Sequence, residues 1–401
     1  MKQILQCLFL FYPAISFAKE VDSLYRSSDF VGRGNAGISD PIAEDALFYN
    51  PANLESRHDP KTSIVFLSPS LATSKQATKT QSIGSEDSKV LDFVQKSVGK
   101  PIDVAVDNFT GFTMNRFGLG LIASGRLNAL IFKDPKASGI ETLDIKATKN
   151  IGFVTGMGFT YNRLQVGAGL KFINRWQAKE TIAISSVDEI KDLKLSDISN
   201  SGNGIGMDLG TIYTFNAPWQ PSIALTVLNI GDTRFKASKT DGIAIDPLYQ
   251  TVNLGFGLHK DLASFGTLKA FFDISDLTKH EEDNKFKNLH MGLNYHPFRA
   301  IGINLGLNQG YGTAGIYFDS KLSRLDVGAY TEEVGSTLGS RPSQRYFARL
   351  VVKLDSRQER IEEPVTPVPQ TLPEPTPSPA PVKKENKPET KITPDSKEGN
   401  K

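Results

Sequence analysis

Residues that could do chemistry are few, and they form no recognisable catalytic pattern. No histidine has the spacing of a metal-binding motif such as H-E-x-x-H. A hydrolase barrel would need a serine–histidine or paired-carboxylate arrangement, and none is indicated. We therefore expect no enzyme activity, no metal site and no cofactor. The histidines are His58, His259, His280, His290 and His296.

Three polar residues are candidates for the interior of a lumen: Asp208, His290 and Asn294. His290 and Asn294 share one face of a predicted strand and could form a proton relay. A histidine in a polar lumen is more often simply hydrogen-bonded, so the relay is the weaker interpretation. The same inward parity applies to further charges, and such residues either anchor a plug or line a wetted wall. The further charges are Lys269, Asp273 and Asp326.

The only cysteine, Cys7, lies in an apolar run from Ile4 to Ile15. A basic start, a short apolar run and small residues at its end are typical of a secretory signal, here residues 1–18 with cleavage after Ala18. The run is too short to span a bilayer. Gln6 precedes the cysteine, which disfavours lipidation. The mature chain would then contain no disulfide and no thiolate metal site.

Gly32, Gly34 and Gly37 match the spacing G-x-G-x-x-G. A dinucleotide site would need an apolar strand before these glycines and a crossover helix after them, and neither is present. The formal net charge is +2. This near balance of charge does not indicate a polyanionic partner, so we expect no nucleic-acid binding.

The elements that would hold these residues are strands. From about residue 104 to 354, apolar residues alternate with glycine, polar or charged residues. A period of two predicts strands, and segments of about ten residues suit tilted strands that cross a bilayer. We predict about 14 strands, at 62–73, 104–114, 117–131, 146–161, 164–183, 204–215, 222–235, 249–259, 267–275, 286–296, 301–308, 313–319, 324–331 and 344–354.

The face opposite the apolar one is rich in glycine and asparagine, which we interpret as the crowded inner surface of a curved wall. Short and long connections alternate, apart from one short link at residues 309–312. Outer-membrane barrels have short periplasmic turns and long external loops. The pattern predicts a bacterial outer-membrane protein with both termini in the periplasm. A large soluble β-protein is the alternative, but no blade-length repeat supports it.

Before the first strand, Asp40-Pro41 predicts the start of one short helix, and Asn50-Pro51-Ala52 predicts a turn that ends it. The stretch GRGNAGISDPIAEDALFYNPANL resembles the amino-terminal signature of the long-chain fatty-acid outer-membrane transporters (the FadL and TodX type). This resemblance implies a 14-stranded barrel plugged by a small amino-terminal hatch. The hatch motif comprises six structural or gating candidates: Gly32, Gly34, Gly37, Asn50, Pro51 and Ala52.

The segment Leu228-Asn229-Ile230-Gly231-Asp232 looks more like a related branch of that family, which includes the PorV-like barrel shuttle of the type IX secretion system. The resemblance therefore leaves two functions open. One is passage of fatty-acid-like hydrophobic molecules across the outer membrane. The other is a non-transporting barrel that acts as a scaffold or secretion partner.

Two long loops carry helical spacing of apolar residues, first at Val90, Leu91, Val94 and Val98, and again near 187–193. These faces either catch a hydrophobic ligand or, as we favour, pack on the rim. The tail is rich in proline and charge, which predicts disorder. It either contacts the periplasm or cell wall or is inert.

The predicted fold is thus all-β: a transmembrane antiparallel barrel with an amino-terminal hatch and a disordered proline-rich tail. The predicted partners are outer-membrane lipid and a hydrophobic small molecule. The predicted division of the chain is a signal at 1–18, a hatch at 19–58, a barrel at 59–355 and a periplasmic tail at 356–401.

Overall fold

A computed structural model describes most of the barrel and the hatch. The predicted signal, the tail from 357 onward and the helical spacing near 187–193 lie outside the described residues. No described helix is long and apolar enough to cross a membrane. The described ranges are 22–42, 44–55, 62–82, 87–133, 141–183, 195–240, 242–278, 286–298, 300–335 and 337–356.

Fourteen strands form the wall. The first is interrupted and has two parts, β1a and β1b. The bounds are β1a Thr62–Leu67, β1b Ser70–Ser74, β2 Ile102–Met114, β3 Phe117–Lys133, β4 Glu141–Tyr161, β5 Leu164–Ala183, β6 Ser199–Thr214, β7 Ser222–Leu228, β8 Thr251–Asp261, β9 Thr267–Ile274, β10 Leu289–Phe298, β11 Ile301–Asn308, β12 Tyr311–Asp319, β13 Ser323–Glu333 and β14 Pro342–Ser356.

Each strand pairs antiparallel with the next, and the first strand pairs with the last. Thr62 in β1a lies opposite Ser356 in β14, and Ser70 in β1b lies opposite Arg349. The sheet therefore closes into a 14-stranded antiparallel barrel, as predicted. Because the first and last strands pair, neither of them is left as a free sheet edge.

Alternation along the strands separates an apolar outer face from a packed interior. In β5, the residues of one parity, such as Leu164 and Phe172, are exposed, whereas those of the other parity are mostly buried. Exposed aromatic side chains at the short-turn end include Tyr161 and Phe298. An apolar outer band with aromatic residues at its margin is the surface expected of a barrel that faces lipid.

The predicted seventh strand, 222–235, is too long. β7 ends at Leu228, because Asn229 (φ 53°), Gly231 (φ 73°) and Asp232 (φ 64°) take the left-handed backbone conformation, which a strand does not tolerate. The apolar parity of the strand stops at Asn229, and the asparagine and glycine that follow Leu228 are turn signals that the prediction passed over.

In the first long loop, a helix forms as predicted, at Asp87–Ser97. Val94 is 3% exposed, and a parallel bridge joins Val98 to Ile131 of β3. These contacts place the helix on the rim. Of the two interpretations of its apolar residues, the structure supports packing on the rim.

The hatch has a different local structure from the prediction. Residues Ser28–Gly32 form helix α1 within the glycine-rich stretch, and the second helix, α2, is Ala46–Tyr49. The prediction that a helix starts at Asp40 is wrong, because the Asp40 N–H is taken up in a turn that closes on the Gly37 carbonyl over 3.0 Å.

The hatch runs through the lumen from one end to the other. Asp22 lies in the long-loop half of the barrel, where its carboxylate is 2.9 Å from Arg175. Glu55 lies at the short-turn end, where its carboxylate is 2.8 Å from Arg116. The carboxyl end of β14, Ser356, is also at the short-turn end.

Candidate functional site

Asn50, Pro51 and Ala52 lie at the centre of the hatch. The Asn50 amide donates a hydrogen bond to the Ile38 carbonyl over 2.8 Å, and its Oδ1 accepts one from the Ala52 N–H over 3.1 Å. Pro51 begins a 3-10 turn that ends at Glu55. Because Asn50 is fully buried, these bonds join two distant parts of the hatch where water cannot compete.

The three hatch glycines contact the wall. Gly34 has φ +74°, and its carbonyl lies 3.2 Å from Nδ1 of His290. The Gly37 N–H donates to the Asp273 carboxylate over 2.6 Å. The Gly32 carbonyl accepts a hydrogen bond of 3.0 Å from a threonine hydroxyl of β12. The three glycines of the G-x-G-x-x-G stretch therefore allow the hatch backbone to lie close to the barrel wall.

Inward glycines of the wall form the seat of the hatch. A Cβ added at Gly306 would lie 2.4 Å from the carbonyl carbon of Arg33, and one at Gly167 would lie 2.3 Å from that of Pro51. Both distances are shorter than any real contact of a Cβ atom. The sequence interpretation, in which these small residues relieve crowding in a curved wall, is therefore incomplete: they admit the hatch backbone.

Asp208, a predicted lumen residue, fastens a turn. Its carboxylate is 2.8 Å from the Lys171 ammonium and accepts a 2.8 Å hydrogen bond from the Asn229 N–H. Lys171 also donates to the Asn229 side-chain oxygen over 2.9 Å. The buried pair therefore holds the left-handed turn that ends β7.

His290 and Asn294 are not brought together for proton transfer. The His290 Nδ1 lies 3.0 Å from Oδ1 of Asn308 and near the hatch carbonyl of Gly34, so it is assigned as the protonated nitrogen. Asn294 instead donates to a neighbouring asparagine and to the Tyr317 hydroxyl. His290 contacts the hatch, whereas these bonds of Asn294 stay within the wall.

Ion pairs join the hatch to the wall, which is one of the two roles that the sequence left open for inward charges. Asp29 lies 2.7 Å from Arg324 of β13, and Glu44 lies 3.3 Å from Arg349 of β14. Lys269 pairs with a hatch aspartate. Strand parity identifies the wall partners as inward. The hatch partners could not be found, because between 229 and 305 residues separate them from the wall residues.

The pKa values of two buried hatch carboxyl groups are shifted in opposite directions. Burial alone would raise the pKa of Asp29, but Arg33 and Arg324 beside it hold that pKa well below its usual range. Burial raises the pKa of Asp45 to about 7, Glu44 adds to the rise, and Arg349 opposes it. Asp29 is therefore an anionic anchor, whereas Asp45 is a carboxyl group that the hatch keeps protonated in mildly acidic solution.

One sector of the lumen is apolar. Leu24, Tyr25, Leu47 and Phe48 of the hatch pack there against the wall. The rings of Phe48 and Phe109 meet edge to face with their centroids 5.8 Å apart. The inward wall residues of this sector come from consecutive strands: Val351 of β14, Val65 of β1a, Phe109 of β2, Ile122 of β3, Val154 of β4 and Ile173 of β5.

The first strand is interrupted in this same sector. Pro69 has no N–H to donate to the ladder. Side chains complete the pairing: the Ser68 hydroxyl lies 2.9 Å from the Phe109 carbonyl and 3.0 Å from its N–H, and Asn108 accepts from the Ser68 N–H over 3.0 Å. At the interruption, side-chain bonds therefore replace part of the regular ladder with β2.

A groove of about 800 Å³ lies on the outer face over the interruption. Its lining also includes Asp107 and Arg349, whose side chains are buried on the lumen side. Most of the outward lining is apolar, with Asn108 and Lys149 as the polar exceptions. The apolar members combine bulky with small side chains: Leu71, Val106, Ala123, Ile151, Ala348 and Leu350. The lumen side directly behind the groove is polar, with Asp107, Ser124, Asn150 and Arg349, and the apolar cluster adjoins it toward the short-turn end.

Among the described residues, no group of three or more His, Cys, Asp or Glu side chains could hold a metal ion. No protein-family model matches the sequence, and no curated protein matches it significantly.

Solved structures of similar fold include the toluene transporter TodX of Pseudomonas putida, with 9% identity over 84% of this chain and 99% of that one and a TM-score of 0.45. The monoaromatic hydrocarbon channel CymD has 10% identity over 86% and 99%, with a TM-score of 0.49. A FadL homologue of Pseudomonas aeruginosa has 9% identity over 85% and 100%, with a TM-score of 0.45.

Proposed function

We propose that the chain is an outer-membrane protein that passes small hydrophobic molecules, and that the molecule leaves sideways through the wall at the interrupted first strand. The observation that carries this proposal is the coincidence of three features in one sector: the apolar cluster inside, the interruption at Ser68–Pro69 and the apolar groove outside. A molecule that crosses there leaves the apolar cluster for the groove and lipid, and passes beside the polar side chains on the lumen side of the groove.

The energetic reason is the cost of hydrating apolar surface. Each Å² exposed to water costs about 25 cal/mol, so an aqueous exit would penalise a hydrophobic molecule, whereas a sideways exit into lipid would not. Within the hydrophobic class we propose fatty-acid-like molecules first, on the resemblance of the hatch motif alone. No step requires catalysis, so we propose that the chain is not an enzyme.

The test is uptake of a labelled long-chain fatty acid by cells that lack their own transporter and express this chain. Ala123→Trp would fill the groove, and Ala168→Trp, an outward residue of β5 outside the groove, is the matched control. We expect uptake to fall at least five-fold in the first variant and to stay unchanged in the second. Heat-shifted gel mobility would verify that each barrel is inserted.

Equal uptake by both tryptophan variants would rule out the sideways route. No uptake by an inserted wild-type barrel would rule out fatty-acid passage altogether. The second candidate, a scaffold or secretion partner, is favoured by the ion pairs that hold the hatch in the lumen. In that case we expect capture of a partner through the long loops, or of cell-wall or periplasmic material through the tail.

A further inference from the structure

The segment between β7 and β8, residues 229–250, folds back into the lumen; we call it the strap. Beyond the end of β7, the long-loop half of β6 pairs with the strap, with Asn203 opposite Lys236 and Gly202 opposite Ala237. A two-bond bridge joins Thr233 to Leu248 over 2.8 and 3.1 Å, so the strap doubles back on itself. It therefore covers the lumen from the long-loop side.

The strap completes the apolar sector. Leu248 is 1% exposed and belongs to the same cluster as Leu24 and Phe48 of the hatch, and Phe235 packs against that cluster. The Arg175 guanidinium lies over the Phe235 ring at 4.8 Å from its centroid. Two apolar side chains of the strap thus occupy the long-loop end of the space where a hydrophobic molecule would meet the hatch.

The two ends of the strap are clamped together. The Gly231 N–H donates to the Gln250 side chain over 2.9 Å, and the Gln250 N–H donates to Asp232 over 2.9 Å. Lys171 and Asp208 hold the turn to the wall, as described above. A loop whose two ends are bonded to each other can move as one body about the left-handed turn where it begins.

The strap is held less firmly than the hatch. Of its described residues, only Thr233 and Leu248 are buried, whereas no described residue of the hatch is exposed. The Asn200 side chain donates to the Lys239 and Ile243 carbonyls at the tip, over 3.0 and 3.1 Å. In the returning limb Asp246 lies 2.9 Å from Lys146, and both of these side chains are about one-third exposed. Segments with few buried contacts and solvated ion pairs open at lower free energy than packed ones.

We propose that the strap is the inlet lid of the barrel: it opens toward the long-loop side while the hatch stays seated, and Phe235 and Leu248 leave an apolar site that a hydrophobic molecule fills. This proposal rests on the proposed function for the identity of that molecule. The opening itself is a property of the strap and is tested without any ligand.

Opening is measured by labelling a single thiol on intact cells with a small water-soluble maleimide. Leu248→Cys reports the strap, and Leu47→Cys is the matched control, because Leu47 is an equally buried leucine of the hatch. We expect the strap thiol to react at least ten-fold faster. Equal rates, or no reaction of either thiol, would overturn the proposal.

Gating is measured with a disulfide between Asn203→Cys and Lys236→Cys, which are antiparallel partners on the wall and the strap. A second disulfide, between Ile303→Cys and Ile316→Cys on paired wall strands, is the control. We expect oxidation of the first pair to lower fatty-acid uptake at least five-fold, reduction to restore it, and the control pair to have no effect.

The two proposals fail in different ways. Uptake that is the same in the oxidised and reduced forms contradicts the lid and leaves passage through the barrel in place. Absence of uptake by the wild-type chain, together with fast labelling at Leu248→Cys, contradicts the proposed function and supports the opening of the strap.

Discussion

The fit between hatch and wall predicts that one methyl group can unseat the hatch. In Gly306→Ala the new Cβ would lie 2.4 Å from backbone atoms of Arg33 and Gly34, where ordinary contact begins at 3.4 Å. Backbone cannot rotate away as a side chain can, so the hatch must move by about 1 Å. The Cβ would also lie 2.6 Å from the Met291 carbonyl of β10, which needs a smaller local shift of the wall. We therefore expect Gly306→Ala to loosen the hatch more than the barrel.

The magnitude follows from the bonds beside that contact. A displacement of about 1 Å would lengthen the hydrogen bond between His290 and the Gly34 carbonyl, now 3.2 Å, beyond roughly 4 Å, where it no longer contributes. Loss of one or two such bonds costs about 1–3 kcal/mol, and overpacking costs about 1–3 kcal/mol more. The free energy that seats the hatch should fall by roughly 2–5 kcal/mol.

The assay is amide hydrogen exchange of hatch peptides in the inserted barrel, read by mass spectrometry. A loss of about 2 kcal/mol or more should speed exchange at least roughly thirty-fold in these peptides. Gly312→Ala is the control, since a Cβ there meets nothing within 4 Å. Wild-type exchange in Gly306→Ala with an intact barrel would refute the close fit on which the prediction rests.

Three further predictions concern the hatch and the strap. Lys171→Met leaves the Asp208 carboxylate buried without its cation and should lower the free energy of unfolding by about 3–5 kcal/mol, read from the urea midpoint; the Lys171→Met/Asp208→Leu pair should lose less. Asn50→Ala removes the bond to the Ile38 carbonyl and should speed hatch exchange, at a cost of about 1–3 kcal/mol. The pKa of Asp45 is raised to about 7 in the folded state, so between about pH 4 and pH 7 the folded state holds a proton that the unfolded state has lost. Hatch stability should therefore fall as the pH rises through this range, and Asp45→Asn should abolish this dependence of stability on pH.

The sequence predicted the wall well because a strand in lipid is specified locally. Each crossing needs alternating residues and a turn, so strands such as β5 were predicted with both ends correct. The end of β7 was missed because the prediction ran the strand on to Phe235, although Asn229 and Gly231 interrupt its apolar parity. Conformation there is set by the Lys171–Asp208 pair, which comes from other strands.

The site was less predictable, since it depends on contacts between distant residues. Parity placed Asp208 and His290 inside the lumen but could not say what each one contacts. The interruption at Ser68–Pro69 was available as a proline inside a predicted strand, and a proline there indicates a break in the ladder. The interruption points to an exit only together with the groove, and the groove is lined by strands from both ends of the chain.

The position of the interruption also bears on how the protein is built. β1 is the first strand to be made and β14 the last, so the joint between them can form only when the whole chain is present. The hatch precedes β1 in the chain and is enclosed by the barrel, so it must lie inside before β1 and β14 pair. Across this joint the Leu350 N–H still donates to the Pro69 carbonyl over 3.0 Å, whereas side chains replace part of the ladder on the β2 side of the first strand. The proposed exit is therefore beside the strand that closes the ring, between that strand and β2.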